Sequence, residues 1–270
     1  MKIHPTAVVE ADAQLGADVE IGPYAVIGPE VTIGDGTVIQ SHAVLEGAVR
    51  IGQKNLVGYG AIVGAAPQDL SFKPETRSAV EIGDGNVIRE YCTIHRGTAE
   101  GSATVLGDGN FLMVGVHLGH NVRLGNRVII ANNCLLAGYV AVDDGAFIGG
   151  GTVFHQFVRV GRLVMAQGDC GFPKDIPPFV LAGEKKFALG VNVVGLRRAG
   201  LNAADRDNIR RAFKLLYRSG LNTAQALEQA QGDEFGAFGR EFFAFVAGAK
   251  KRGIVAYRRT RETAAADDAD

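Results

Sequence analysis

Five polar side chains carry the chemistry this sequence is equipped for: His117, His120, Tyr139, His155 and Gln156. His120, Gly138 and Gln156 stand 18 residues apart, and Tyr139 follows Gly138. If the chain coils once every 18 residues, an imidazole, a glycine amide and a carboxamide stack at steps of ~5 Å. That trio suits acyl transfer. A neutral imidazole, with an ordinary pKa near ~6.5, takes the proton of an attacking hydroxyl. A glycine N–H one coil away faces the oxyanion that develops on the carbonyl. General-base help of this kind is worth ~10²–10⁴-fold in rate.

The element that must position these residues is a six-residue repeat. From Leu106 every sixth residue is apolar: Leu112, Leu118, Leu124, Ile130, Leu136, Val142, Ile148, Phe154, Val160 and Ala166. The same period runs from Ile3 through Val9, Leu15 and Ile21 to Val63, often with Gly next in sequence. It breaks at 65–79, resumes one residue out of phase at Ile82, Ile88 and Ile94, and breaks again at 95–105. The frame holds 25 apolar positions without an exception, which chance would produce on the order of once in 10⁸ trials. An amphipathic helix, with its 3.6-residue period, is excluded.

A six-residue apolar–Gly repeat is the signature of a hexapeptide β-helix. Three hexapeptides close one triangular coil, with each aliphatic side chain inside and its neighbours along the strand outside. Burying 25 such side chains contributes roughly 40–75 kcal/mol before backbone ordering is subtracted. Coils of this family are left-handed, against the usual crossover rule. The stretches 65–79 and 95–105 do not keep the period, so they must project from the prism as loops, where function often resides.

After about residue 168 the repeat ends in a connector containing Pro173, Pro177 and Pro178. Helical signals follow: Asn202 as N-cap with Ile209, Phe213 and Leu216 on one face, Asn222 capping a second helix, and a third with Phe235, Phe238, Phe242 and Phe245. The organisation is therefore mostly β: a left-handed parallel β-helix over 1–188, then a small C-terminal α-helical domain over 189–258. Residues 259–270 read as a disordered tail. The helical part is too small to be comfortable alone and must pack on the solenoid or on another subunit.

Composition narrows the function classes. The chain has 270 residues, 47% of them hydrophobic, and a formal net charge of −1, which argues against nucleic acid as a partner. No apolar run approaches the ~20 residues of a membrane span, and the N-terminus has no signal-peptide core. Cys92, Cys134 and Cys170 lack metal-ligand spacing. Cys134 and Cys170 share a column two coils apart, ~9.6 Å, too far for a disulfide. A cytoplasmic protein with reduced thiols fits.

The residues leave two rivals to acyl transfer. Hexapeptide solenoids hold zinc on three histidines between subunits, as in the γ-class carbonic anhydrases. Here His117 and His155 lie ~10 Å apart in one subunit, and the His117-x-x-His120 spacing is not that family's. A non-catalytic solenoid would need neither the loops nor the helical cap.

The motifs then become specific. PQDL at 67–70, IHRGT at 94–98, His117-x-x-His120, IANN at 130–133, LAG at 136–138, HQF at 155–157, DIPPF at 175–179, GVN at 190–192 and GLRR at 195–198 occur in this order. In that order and spacing, and over nearly the whole chain, the sequence resembles the UDP-N-acetylglucosamine O-acyltransferases, which begin lipid A synthesis in Gram-negative bacteria. The resemblance implies transfer of an (R)-3-hydroxyacyl group from acyl carrier protein to the 3-hydroxyl of UDP-GlcNAc by a homotrimer with sites between subunits. It implies no metal and no cofactor beyond the carrier protein's phosphopantetheine. It makes His120 the general base and the Gly138 N–H the oxyanion donor. It places Gln68, Asp69, His117, Tyr139, His155 and Gln156 around the sugar nucleotide, with Asn192 and Arg198 at its nucleotide end. Gly168 falls at the position that limits the acyl pocket. The basic helix face of Arg210, Arg211, Lys214 and Arg218 would dock the acidic carrier protein.

Four positions depart from that pattern. Tyr139 stands where His is usual beside the oxyanion glycine, Ser71 where Lys is expected, Val194 where Glu is expected, and Asn121 where Asp commonly follows the base. They leave the acceptor open between UDP-GlcNAc and a 3-amino analogue, whose acylation would give an amide. The related N-acyltransferase later in the pathway carries an additional N-terminal uridine-binding domain, whereas the repeat here starts at Ile3.

Overall fold

A computed structural model of the chain describes residues 1–249 and 252–258. The stretch 259–270, read above as a tail, lies outside the described residues. Strands of two to four residues, up to Val180–Gly183, wind into a parallel β-helix with three sheets. The first sheet runs from Lys2–Ile3 to Val180–Gly183, the second from Val8–Val9 to Gly171–Phe172, and the third from Gln14–Leu15 to Arg159–Val160. Register is 18 residues per coil where the repeat is unbroken: Leu118 pairs with Leu136, and Leu136 with Phe154.

Periodicity dictates the interior. From Ile21 to Ala166 every residue of the apolar frame is buried. Ile3, by contrast, is 43% exposed and Val9 and Leu15 are only half-buried. Among the described residues these three frame positions are left partly uncovered, and the gross burial gain is smaller than 25 positions would give. A second inward column, two residues before each frame residue, is also buried: Val116, Val122, Val128, Cys134 and Val140. Its residues are smaller than the Leu and Ile that dominate the frame. Cys92, Cys134 and Cys170 are buried and unpaired, and burial pushes the Cys92 thiol up to about 11.

Both breaks in the repeat leave the prism at one edge. Ile62–Ala65 lies in the second sheet and Ala79–Ile82 in the third, with residues 66–78 between them. Likewise Thr93–His95 and Ala103–Leu106 flank residues 96–102. The projecting segments are shorter than the spacing suggests. Ala79 pairs with Ala48 and Ala103, and Ala65 with His95, so these residues stay in the sheets. Residues 119–122, with His120, turn between His117–Leu118 and Arg123–Leu124 at the same edge.

Beyond the last coil, Phe187–Val191 pairs antiparallel with Val180–Gly183. Among the described residues four helices follow: α1 (Val193–Arg198), α2 (Ala203–Arg218), α3 (Thr223–Gly232) and α4 (Ala237–Ala247). Asn202 and Asn222 cap α2 and α3 as expected. Helix α1 was not foreseen; it is one short turn and a half, capped by Asn192. Phe235 precedes α4 instead of belonging to it, although it is buried with Phe242 and Phe243. The helices are tied to the β-helix by two arginines. Arg162 holds Glu241 of α4 through two bonds of 2.8 and 2.7 Å. Arg159 bonds Asp175 at 2.8 Å and the Phe245 carbonyl at 3.1 Å. Among the described residues no helix is long and apolar enough to cross a membrane.

Candidate active site

His120, Gly138 and Gln156 stand one above another on the edge between the second and third sheets. Backbone bonds fix the stacking: Tyr139 N–H donates to the His120 carbonyl at 3.0 Å, and Phe157 N–H to the Gly138 carbonyl at 3.1 Å. The residues that follow, Asn121, Tyr139 and Phe157, all have left-handed backbones, with φ of 60°, 62° and 67°. The turn is therefore repeated coil by coil, and these three side chains form a second column beside the first. The Gly138 N–H donates to no group among the described residues. A β-carbon on Gly119 would stand 3.0 Å from that nitrogen, so the glycine below keeps the amide open.

His120 as a residue is only 8% exposed, and its ring lies against the Gly138 backbone, where a β-carbon would collide with Cε1 and Nε2. Its Nδ1 is 3.0 Å from Asn121 Oδ1. The same oxygen accepts from the Thr98 backbone N–H at 3.1 Å and the Thr98 hydroxyl at 3.0 Å. Thr98 Oγ1 is 3.1 Å from the Tyr139 hydroxyl. The Tyr139 ring meets His120 edge-on at 5.2 Å and stacks on Phe157 at 4.8 Å. Thr104 closes the base of the loop: it accepts from Asn121 N–H at 2.8 Å and donates to the His95 carbonyl at 2.6 Å.

His117 faces outward on the second sheet, half-buried, with Nδ1 2.8 Å from Thr93 Oγ1. The His95 ring contacts it edge-on at 5.2 Å, and His95 Nδ1 donates to the Ala66 carbonyl at 2.6 Å. Burial first, and repulsion from His95 second, hold the His117 pKa below its usual 6.5. Asp69, on the 66–78 loop, accepts from the Ser71 hydroxyl at 2.7 Å and the Ser71 N–H at 2.9 Å. Those bonds, with a smaller contribution from His120, hold its carboxyl below the usual carboxylate value. Asp69 thus lies within electrostatic reach of His120, while Gln68 beside it is exposed. His155 and Gln156 are exposed at the upper end of the column.

Over residues 175–255 the chain matches a family described as UDP N-acetylglucosamine O-acyltransferase, domain 2. The bacterial transferase hexapeptide model matches 12–47 and 103–138. A UDP-N-acetylglucosamine acyltransferase from Campylobacter jejuni is 39% identical, with 95% of this chain and 100% of that one covered and a TM-score of 0.89. The chain belongs to the UDP-N-acetylglucosamine acyltransferase family. The Bacteroides fragilis member is 42% identical over 93% of this chain and 99% of its own, with a TM-score of 0.90. The Francisella novicida member is 33% identical over 97% and 96%, with a TM-score of 0.89. The chain is thus an acyltransferase built, like the rest of this family, on a left-handed parallel β-helix with a small helical C-terminal region.

Within this acyltransferase, the remaining sequence candidates lie apart from the His120 edge. Asn192 caps α1, accepting from Gly195 N–H at 3.0 Å and donating to the Leu163 carbonyl at 2.9 Å. Arg198 is exposed at the other end of α1. No contact among the described residues joins either one to His120. Gly168 is exposed on the edge between the first and second sheets, and a β-carbon there would stand 2.8 Å from the Gly150 carbonyl. Packing against the coil below is therefore itself a reason for glycine at 168. On α2, Arg210, Arg211 and Lys214 are exposed, whereas Arg218 is half-buried over the rings of Phe213 and Tyr257. Its aromatic setting reduces what it offers to a docking partner. Among the described residues no group of three His, Cys, Asp or Glu side chains is placed to hold a metal ion.

His95 and Thr98 enter the sequence reading only inside IHRGT, and Phe157 only inside HQF, with no role assigned, and Asn121 only as a departure from the family pattern. The first two lie at or beyond the end of a strand where the period stops, so no register argument reaches them.

Proposed function

We propose that this acyltransferase moves an (R)-3-hydroxyacyl group from acyl carrier protein to the 3-position of UDP-N-acetylglucosamine, the first step of lipid A synthesis, in the cytoplasm. His120 is the general base and Gly138 N–H the oxyanion donor. The observation that carries this reading is the contact between them: an imidazole packed on a glycine whose N–H has no partner among the described residues. A carbonyl seated there meets the amide while its attacker meets the ring, which is the arrangement acyl transfer requires.

His120 Nε2 accepts the proton of the acceptor as its oxygen attacks the thioester carbonyl. The tetrahedral oxyanion leans on Gly138 N–H. The C–S bond then breaks, and the thiol leaves with the proton returned from His120. The chain needs no cofactor of its own, because the phosphopantetheine of the carrier protein delivers the acyl group. Exposed Arg210, Arg211 and Lys214 on α2 suit an acidic carrier. Gln68, Asp69, His117, Tyr139, His155 and Gln156 surround the sugar, and Gly168 opens the acyl pocket.

A homotrimer completes the site. Two of the three sheets carry apolar residues outward. Val8, Val26, Ile62, Leu135 and Val153 stand exposed on the second, and Ile129 on the first. The third presents Arg50, Glu81 and Arg123 instead. Two apolar faces on one prism suit two neighbours, as in a closed ring of identical subunits. A neighbouring copy then supplies Asn192 and Arg198 to the nucleotide end, where a guanidinium suits diphosphate.

The test is an assay with UDP-GlcNAc, its 3-amino analogue and a set of 3-hydroxyacyl carrier proteins. UDP-GlcNAc is expected to be acylated, and His120→Ala to lose at least ~10²-fold in rate with the fold retained. Near-normal turnover by that variant removes His120 as base. Exclusive use of the amino analogue moves the reaction to amide formation.

A further inference from the structure

The hydrogen bonds around Asn121 have only one consistent set of directions. A backbone N–H can only donate, so the Asn121 atom 3.1 Å from Thr98 N is the amide oxygen. That oxygen also faces His120 Nδ1 at 3.0 Å. Two acceptors do not bond each other, so Nδ1 must carry the hydrogen, and in the neutral ring Nε2 is then left bare. The assignment of the asparagine amide and the histidine tautomer, ordinarily a choice between alternatives, is settled here by a main-chain donor. The Thr98 hydroxyl donates to Asn121 Oδ1 at 3.0 Å, so the Tyr139 hydroxyl, 3.1 Å away, donates to Thr98.

We propose that Thr98, on the 96–102 loop, and Asn121 are positioning residues that together lock His120 as the Nδ1–H tautomer and keep Nε2 ready for a proton. This rests on His120 acting as the base. The lock differs from a carboxylate–histidine pair in one respect: it orients the ring without placing a negative charge on it. Among the described residues, Asp69 on the 66–78 loop lies within electrostatic reach of His120, and the Tyr139 ring from the next coil contacts it. Charge stabilisation of the imidazolium is therefore left to Asp69, which sits on a loop. Tyr139, donating its hydroxyl hydrogen to Thr98, keeps its oxygen lone pairs available to accept. The loop at 96–102 thereby acquires a role, since it is the insertion that brings a backbone donor to the catalytic corner.

The full-length enzyme with ¹⁵N-labelled histidine tests the lock directly, with the His120→Ala spectrum identifying the His120 signals. Above pH 8 the wild type is expected to show a protonated Nδ1 and a bare Nε2; the opposite tautomer overturns the proposal. Kinetics give a second readout. Asn121→Asp keeps the shape and tolerates the left-handed backbone, but sets a carboxylate beside the ring. It should shift the acid limb of the kcat/KM profile upward by about one pH unit. A profile that overlays the wild type's overturns the proposal. Asn121→Gly, suited to φ of 60°, should lower kcat about tenfold or more with KM within about twofold. Thr98→Val should lower kcat a few-fold and Thr98→Ser restore it; equal activity of Val and Ser variants removes the hydroxyl from the lock. Should His120→Ala stay active, the base reading fails, while the tautomer measurement still judges the lock.

Discussion

The imidazole of His120 fills the space that a side chain on Gly138 would need, although the two residues are 18 apart in sequence. A β-carbon on Gly138 would stand 2.9 Å from Nδ1 and closer still to Cε1 and Nε2. The proposed base and the proposed oxyanion donor are therefore set against each other by the rise of one coil. Neither can be moved without moving the other.

Gly138→Ala follows from that contact. Glycine at 138 is required by the ring and not by the turn, since the left-handed residue of this corner is Tyr139. Alanine suits the backbone, and the added methyl must push the imidazole away from the open amide. Loss of one oxyanion donor alone costs about 10²–10³-fold, so kcat should fall by at least about 10²-fold. Overpacking at one corner should cost at most about 1–3 kcal/mol of stability. Turnover and thermal melting measured on the same preparation check both halves, and a kcat near that of the wild type would show that the ring yields at no cost.

Much of this site was legible because a period of six fixes which side chains share a column. His120, Gly138 and Gln156 align because Leu118, Leu136 and Phe154 do. Register could not reach Thr98, whose loop follows no period, nor show that its N–H finds Asn121. The second inward column went unread because its members are small: Val116 and Ala146 tolerate either side of a strand, whereas Leu118 does not. Exposure at Ile3, Val9 and Leu15 is something that a repeat cannot announce. Helix α1 is too short to show a periodic face, and only the side chain of Asn192 marks its start.

His117 makes stability depend on pH in a defined direction. Its pKa is held below 6.5 in the folded protein, by burial and then by His95. The unfolded chain therefore binds a proton at His117 more readily. Above about pH 6.5 both states are neutral there and this residue contributes no slope. As pH falls below that value the unfolded state takes up the proton first, and stability declines until the folded pKa is passed. Urea unfolding between pH 7.5 and 5 should show this decline, and His117→Gln should flatten part of it. Identical slopes for the two proteins would mean that His117 is not the group responsible.

Assembly can be tested through the two apolar faces separately. Val26, on the second sheet, and Ile129, on the first, are each 36% exposed. Neither substitution touches the core, so a protomer carrying Val26→Asp or Ile129→Asp should keep its stability within about 0.5 kcal/mol. In a ring of like subunits each interface joins the first-sheet face of one copy to the second-sheet face of the next. Every interface then contains one copy of either mutation, and either alone should break the ring. In a twofold dimer only one face meets itself, and only one substitution would matter. Mass measured by light scattering distinguishes the cases: both variants should fall from three times 28.5 kDa toward a single protomer. If the proposed ring shares its sites between neighbours, both should also lose activity at low concentration, because Asn192 and Arg198 would then have no neighbouring His120 edge to complete.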